Sequence, residues 1–346
     1  MINHWQILHA DARHIPLADK TVQCVVTSPP YWGLRDYKLG EKGIGLEPTP
    51  DLYVQHIVEI FREVKRVLRD DGTLWLNMGD SYNSIPGGYY PDGSFDRPSR
   101  GSQRMRGFPR TKTLKPKDLV GMPWRVAFAL QGDDWWLRSD IIWAKPNPMP
   151  ESVTDRPTKS HEYLFLTTKS ERYYYDQDAV REAHEDKARP DGWTTGDGGI
   201  SSPEFVGRHD GKSRPPMTMT NRQYNSNGRN RRTVWEIATQ PFPEAHFATF
   251  PEALVEPCIK AGSSERGCCP KCGAGWRRVV DRVQEPDGLR NRDGGSKMDY
   301  HTRQVGSGQK LQDWKDANPP RTTGWHPTCD HETESVPCLV LDPFAG

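Results

Sequence analysis

At 346 residues, with 34% hydrophobic and 27% charged side chains, the chain is long enough to bury the core of one large domain or two smaller ones. It contains no apolar run of the ~18 residues that a membrane span needs and no charged-then-apolar leader, which points to a soluble protein working in the cytoplasm. A formal net charge of +1 excludes a uniformly basic or acidic surface but conceals two local excesses: residues 97–117 carry eight Lys or Arg and no acid, and residues 206–232 seven basic side chains against one Asp. Both stretches are rich in Gly, Pro, Ser and Asn, a composition for mobile loops that wrap a polyanion or simply face solvent.

In chain order, Ile7 and Leu8 make a short apolar run that reads as a first strand, and Cys24, Val25 and Val26 a second, closed abruptly by Pro29 and Pro30. Val54, Ile57, Val58, Phe61, Val64 and Leu68 then fall on one face at spacings of three and four and predict a helix. Thr49 is suited to cap its N-terminus, Pro50 to its first position and Gly72 to its termination. Residues 73–78 read as a buried strand, KDLVGMPWRVAFALQ as a helix, and WWLRSDIIWAKPNP as a further strand. A hairpin is expected over 162–175, then a short strand in TVWEIA and a helix starting near Pro251. This alternation of strands and helices implies a sheet with crossovers.

The stretch VVTSPPYWGLRDY carries the first chemical signal. Pro29 has no N–H and a fixed φ, and each proline pushes the residue before it out of the helical region, so the chain leaves its strand rigid and extended. Ser28 and nearby carbonyls then stand at the carboxyl edge of the sheet, where open α/β sheets bind their ligands, with the flat face of Tyr31 beside them. Acceptors next to an aromatic face suit a planar heterocycle bearing an exocyclic amine, such as an extruded nucleobase. Asp80, at the end of the strand that closes on NMG, is a candidate for orienting that site. His161 and Glu162 do not form an acid/base pair, because neighbours on a strand point to opposite faces.

TSPPYW, LRDDGTLWLNMGDSY, IIWAKPNPMPES, AHFATFPEALVEPCIKAGS and the final VLDPFAG together closely resemble the β-type amino-methyltransferases of DNA, in the permuted order in which the target-amine motif precedes the cofactor motif. The resemblance implies a Rossmann-like α/β methyltransferase fold with a mixed, mostly parallel sheet, and S-adenosylmethionine as methyl donor. It implies that Ser28, Pro29, Pro30 and Tyr31 hold the target amine, with Ser28 Oγ and the Pro29 carbonyl accepting its N–H groups and Tyr31 stacking on the ring. It places Asp11 and Ala12 near the cofactor adenosine and His246, Phe247 and Phe250 near its methionine part, with Asp342, Pro343, Phe344 and Gly346 opening the cofactor loop. Ser28 in place of the Asp or Asn of many adenine enzymes favours cytosine N4; adenine N6, or an inactive DNA-binding fragment, is the alternative. Methylation at cytosine carbon 5 needs a Cys nucleophile on a Pro-Cys loop, and Pro257-Cys258 and Pro337-Cys338 lack that setting. Because the chain stops at Gly346, before the glycine-rich turn is complete, weak cofactor binding by this chain alone is expected.

Double-stranded DNA is the implied partner, with Arg104, Arg106 and Arg110 as phosphate contacts. Five of the seven cysteines cluster in the last third; Cys269 and Cys272 have knuckle spacing, and Cys329 with His331 can complete a tetrahedral zinc site from 57 residues away, with Cys268 or Cys338 as substitutes. The expected organisation is a methyltransferase part over 1–177 with a basic loop at 83–117, a target-recognition segment at 178–232, and a cofactor-side strand and helix at 233–264. A zinc-binding insertion follows at 265–335, and the start of the cofactor motif at 336–346.

Overall fold

The computed structural model describes residues 5–34, 43–83, 114–182, 229–240, 250–281 and 321–345. Strand β1 (Val22–Thr27) is followed by helix α1 (Pro50–Val67), β2 (Leu68–Met78), α2 (Met122–Gly132), β3 (Trp136–Ala144), β4 (His161–Thr168), β5 (Val234–Glu236) and α3 (Glu252–Gly262). Strands β6 (Arg277–Asp281), β7 (Arg321–His326) and β8 (Val340–Leu341) complete the order. Six strands form one sheet in the order β5-β3-β4-β2-β1-β8, and β6 pairs with β7 separately. In the large sheet only β4 runs antiparallel to its neighbours; β1 is parallel to β2 and β8, and β3 to β5.

Central position explains the sequence of β1. All six of its residues are buried: Cys24 and Val26 face the side of α3, Val25 the side of α1 and α2, and a register shift between Val22 and Cys24 puts Val22 on the α1 and α2 side as well. Leu74, Leu76 and Trp75 in β2, and Phe165, Leu164 and Leu166 in β4, divide in the same way. Layers of helix, sheet and helix result. Helix α1 begins as its sequence indicates: Thr49 is extended, its hydroxyl accepts from the Leu52 N–H at 3.2 Å, and Pro50 occupies the first turn.

Four expectations need correction. Helix α1 ends at Val67, with Leu68 already extended, and Gly72 lies inside β2, where a Cβ would meet the Leu68 side chain at 2.6 Å; closeness to Leu68, not a left-handed cap, makes glycine necessary there. Strand β2 accordingly starts five residues before the predicted 73. Ile7 and Leu8 form no strand and are 71% and 42% exposed, because nothing pairs with them among the described residues. Residues 162–175 are no hairpin: β4 is a single strand held between β2 and β3, and the chain turns away after Thr168.

By contact clustering the chain divides into one unit of Met1–Val180, Arg232–Arg277 and His326–Gly346, and a second of Arg181–Arg231 and Arg278–Trp325. In the second, Glu182 and Arg229 pair through backbone and side chains, and Arg278 stacks on Trp325 at 4.5 Å. No helix among the described residues is long and apolar enough to cross a membrane.

Candidate active site

Parallel β1, β2 and β8 end on the same edge of the sheet, and antiparallel β4 begins there. Register fixes what meets: Met78 pairs with Tyr163, Ala144 with His161, and Val25 with Leu341. Ser28, Asn77 to Asp80, Lys145, Glu162 and Asp342 therefore gather at one carboxyl edge although they span most of the sequence.

Ser28 and Tyr31 lie on the corner that follows β1. The Tyr53 hydroxyl donates to the Pro30 carbonyl at 2.9 Å, and Gly33 N donates to Gly45 O at 2.7 Å, so the corner is tied from both sides. The Ser28 hydroxyl donates to Tyr31 Oη at 3.3 Å; Tyr31 Oη in turn lies 2.8 Å from Glu162 Oε2 and 3.0 Å from Asn77 Oδ1. A phenol has one proton, and the carboxylate is the stronger acceptor, so the chain of donation runs from Ser28 to Tyr31 to Glu162. Glu162 also forms an ion pair with Lys145, whose ammonium lies 4.2 Å above the Trp143 ring. Burial, then the negative charge of Glu162, hold the Tyr31 hydroxyl well above its usual pKa, so it remains protonated and able to donate. With its own proton committed to Tyr31, Ser28 Oγ presents lone pairs for a further donor.

Tyr31 packs against Gly79 so closely that a Cβ there would lie 2.5 Å from its ring. This joins the SPPY corner to the NMG turn of β2. The next residue, Asp80, accepts from the backbone N–H groups of Gly121 and Met122 at 3.1 and 3.0 Å, capping α2 from outside its own segment. Lys159 Nζ donates to the Asp80 carbonyl at 3.0 Å, and desolvation pulls its pKa down.

In the turn after β8, the Thr27 hydroxyl donates to Asp342 Oδ1 at 2.5 Å, and Phe344 N donates to the same oxygen at 2.9 Å. Desolvation raises the Asp342 pKa against these two bonds. Ala12 and Phe344 pack on the α1-side cluster and Phe250 on the α3-side cluster; Asp11 folds back on Arg13 in an ion pair of 2.8 Å. His246, Phe247, Gly346, Arg104, Arg106 and Arg110 lie outside the described residues.

Sequence reading missed Glu162 and Lys145. His161 does turn away, edge-on to Tyr163 at 5.4 Å, but its neighbour Glu162 enters the site. The available signal was a lone carboxylate at the start of an otherwise apolar strand, with a lysine closing the strand that pairs with it.

A separate cluster lies in the last third. The ligand atoms of Cys269, Cys272, Cys329 and His331 all fall within 4.8 Å of one another, with Cys269 Sγ 3.7 Å from His331 Nδ1. Cys268 and Cys338 stand outside it, their thiols directed at the carbonyls of Pro337 and Ser264.

A mixed, mostly parallel sheet with helices on both faces, carrying a Ser-Pro-Pro-Tyr corner and an Asp-Pro-Phe turn on its carboxyl edge, places the protein in the α/β class. The chain belongs to the DNA methylase family whose model covers N6 and N4 enzymes, matched over residues 22–269. The type II methyltransferase M.XycI of Xanthomonas campestris pv. cyanopsidis is 51% identical over 72% of this chain and 69% of its own. M.SmaI of Serratia marcescens, also a type II methyltransferase, is 44% identical over 80% of this chain and 82% of its own. Among solved structures, the PvuII DNA methyltransferase (cytosine-N4-specific) aligns with 74% of this chain and 70% of its own at 15% identity and a TM-score of 0.44.

Proposed function

We propose that the protein is a site-specific type II modification enzyme that methylates the exocyclic amine of a base flipped out of duplex DNA, with cytosine N4 as the target. The observation that carries this reading is the Ser28–Tyr31–Glu162 chain of donation, which leaves Ser28 Oγ as an acceptor on a corner too rigid to retreat. An exocyclic amine has its lone pair conjugated into the ring and is a poor nucleophile. Acceptors on both N–H groups, Ser28 Oγ and the Pro29 carbonyl, favour a pyramidal nitrogen whose lone pair is released for attack. Tyr31, clamped against Gly79, offers the remaining ring surface to the base. S-adenosylmethionine, when bound, supplies a methyl group on a sulfonium that leaves as a neutral thioether. Asp342, Phe344, Ala12, Asp11 and Phe250 are the described residues assigned to hold it, joined by His246, Phe247 and Gly346. The Thr27–Asp342 bond supports the assignment because it sets that acidic turn one residue from the amine corner. The amine nitrogen becomes cationic as the new N–C bond forms and gives up one proton to water.

Residues 83–117, with Arg104, Arg106 and Arg110, and 178–232 are assigned to phosphate contact and target reading. Methyl transfer from tritiated S-adenosylmethionine to duplex DNA, followed by nucleoside analysis, tests the whole reading. N4-methylcytosine is expected. N6-methyladenine would keep the enzyme class and correct the base, and transfer to RNA or small amines alone would overturn the DNA assignment.

A further inference from the structure

The Cys/His cluster stands apart from the methyl-transfer residues, and its neighbours explain what it does. We propose that Cys269, Cys272, Cys329 and His331 bind one structural zinc ion, and that this centre fastens strand β8, with the Asp342 turn that follows it, to the central strand β1.

The donor set is three thiols and an imidazole, a borderline-soft combination that fills all four positions of a tetrahedron and leaves none for a substrate or water. With zinc–sulfur bonds of about 2.3 Å and zinc–nitrogen bonds of about 2.0 Å, a sulfur–nitrogen edge of such a tetrahedron is about 3.6 Å. The 3.7 Å between Cys269 Sγ and His331 Nδ1 is already such an edge. Local backbone supports the same conclusion: Gly273, at φ +70°, directs its N–H to the Cys269 carbonyl at 2.7 Å, and the Cys269 N–H reaches the Ala274 carbonyl at 2.9 Å. That is a tight knuckle turning two ligands to one side. A disulfide would use only two of the three converging thiols, and none of the described cysteines is joined in a disulfide.

The centre is tied to the sheet at the end away from the chemistry. Arg69 of β2 donates to the Cys272 carbonyl, and Gln23 near the start of β1 donates to the Gly273 carbonyl at 3.3 Å. The same Gln23 side chain accepts from Leu339 N at 2.6 Å, while its backbone N–H donates to Leu339 O at 3.0 Å. Cys268 and Val336 exchange backbone bonds at 2.7 and 2.8 Å. The chain departs from the first unit after Arg277 and rejoins it at His326, so one ligand pair precedes the departure and the other follows the return. A metal ion joining the two pairs offsets the chain entropy of bringing residues so far apart in sequence together. The returning chain then has a fixed path from His331 through Val336 and Leu339 into β8 and Asp342.

The experiment uses the full chain, without cofactor or DNA, so its outcome is independent of the methyltransferase reading. Elemental analysis should find one zinc per chain, and cobalt substitution should give the visible bands of a tetrahedral, thiolate-bound ion. Cys272→Ser and Cys329→Ser should each lose stoichiometric metal, whereas Cys338→Ser keeps it. Hydrogen exchange after chelation should speed up at Leu339 and along β8 while the amides of β4 stay protected. Folded protein purified without metal and unable to take up cobalt, or metal retained in both ligand variants, would overturn the site. Unchanged exchange at Leu339 in metal-free protein would overturn the fastening role.

Discussion

Tyr31 has one proton and two acceptors, and that scarcity sets the direction of the site. Because its proton goes to Glu162, Ser28 must donate to Tyr31 rather than accept from it, and Ser28 Oγ keeps its lone pairs to act as an acceptor. Tyr31→Phe removes the link without removing the ring, and Ser28→Ala removes the acceptor. Each should lower single-turnover methyl transfer by ~10-fold or more, equivalent to at least about 1.4 kcal/mol at the transition state, with little change in melting temperature. Glu162→Gln should do the same while Glu162→Asp recovers part of the rate. Rates equal to wild type in all of these variants would place the amine-binding corner elsewhere. Gly79→Ala should mimic them, since its Cβ would strike the Tyr31 ring at 2.5 Å.

At the level of elements, the contact between α3 and the sheet is tight. A Cβ on Gly262 would lie 2.4 Å from Thr73 Oγ1 and 2.7 Å from Cys24 Sγ, so the last turn of α3 approaches β1 and β2 only because that residue has no side chain. Gly262→Ala should cost about 1–3 kcal/mol by overpacking, measured by urea unfolding. Under this contact Cys24 is fully buried, and desolvation pushes its thiol from an ordinary 9.0 up to about 12. Between those values the unfolded chain loses the thiol proton and the folded chain keeps it. The native state therefore loses stability as pH rises through that window, by up to about 4 kcal/mol at its top. Cys24→Ala should flatten this alkaline loss relative to wild type; parallel pH profiles would show that the thiol stays protonated in neither state or titrates in both alike.

For the whole molecule, the two basic segments determine what the near-zero net charge conceals. If Arg104, Arg106 and Arg110 each neutralise a phosphate, replacing all three with Gln should reduce the slope of log K against log salt by about 2.7 for duplex DNA. An unaltered slope would return the segment to solvent. Because these contacts position the duplex rather than read it, the loss should be similar for specific and random DNA, while the rate on bound specific DNA changes little.

Local chemistry made part of this protein legible from sequence alone. Two adjacent prolines cannot continue a strand or start a helix, Thr49-Pro50 is a helix start on its own terms, and a Cys-Pro-Lys-Cys-Gly knuckle draws its two thiols together whatever surrounds it. These features depend on residues a few positions apart. Glu162 and Lys145 left only a faint signal because their roles depend on register: one strand pairing, Ala144 with His161, and another, Met78 with Tyr163, bring them to the corner after β1. A shift of one residue would turn Glu162 to the opposite face. Gly72 was misread for the same reason, since a glycine after a helix fits a cap or a close contact equally well, and only the Leu68 side chain lying over it decides. Sequence determined which residues could do the chemistry. Tertiary structure decided which way the protons point, because hydrogen-bond direction is set by partners that only the folded sheet assembles.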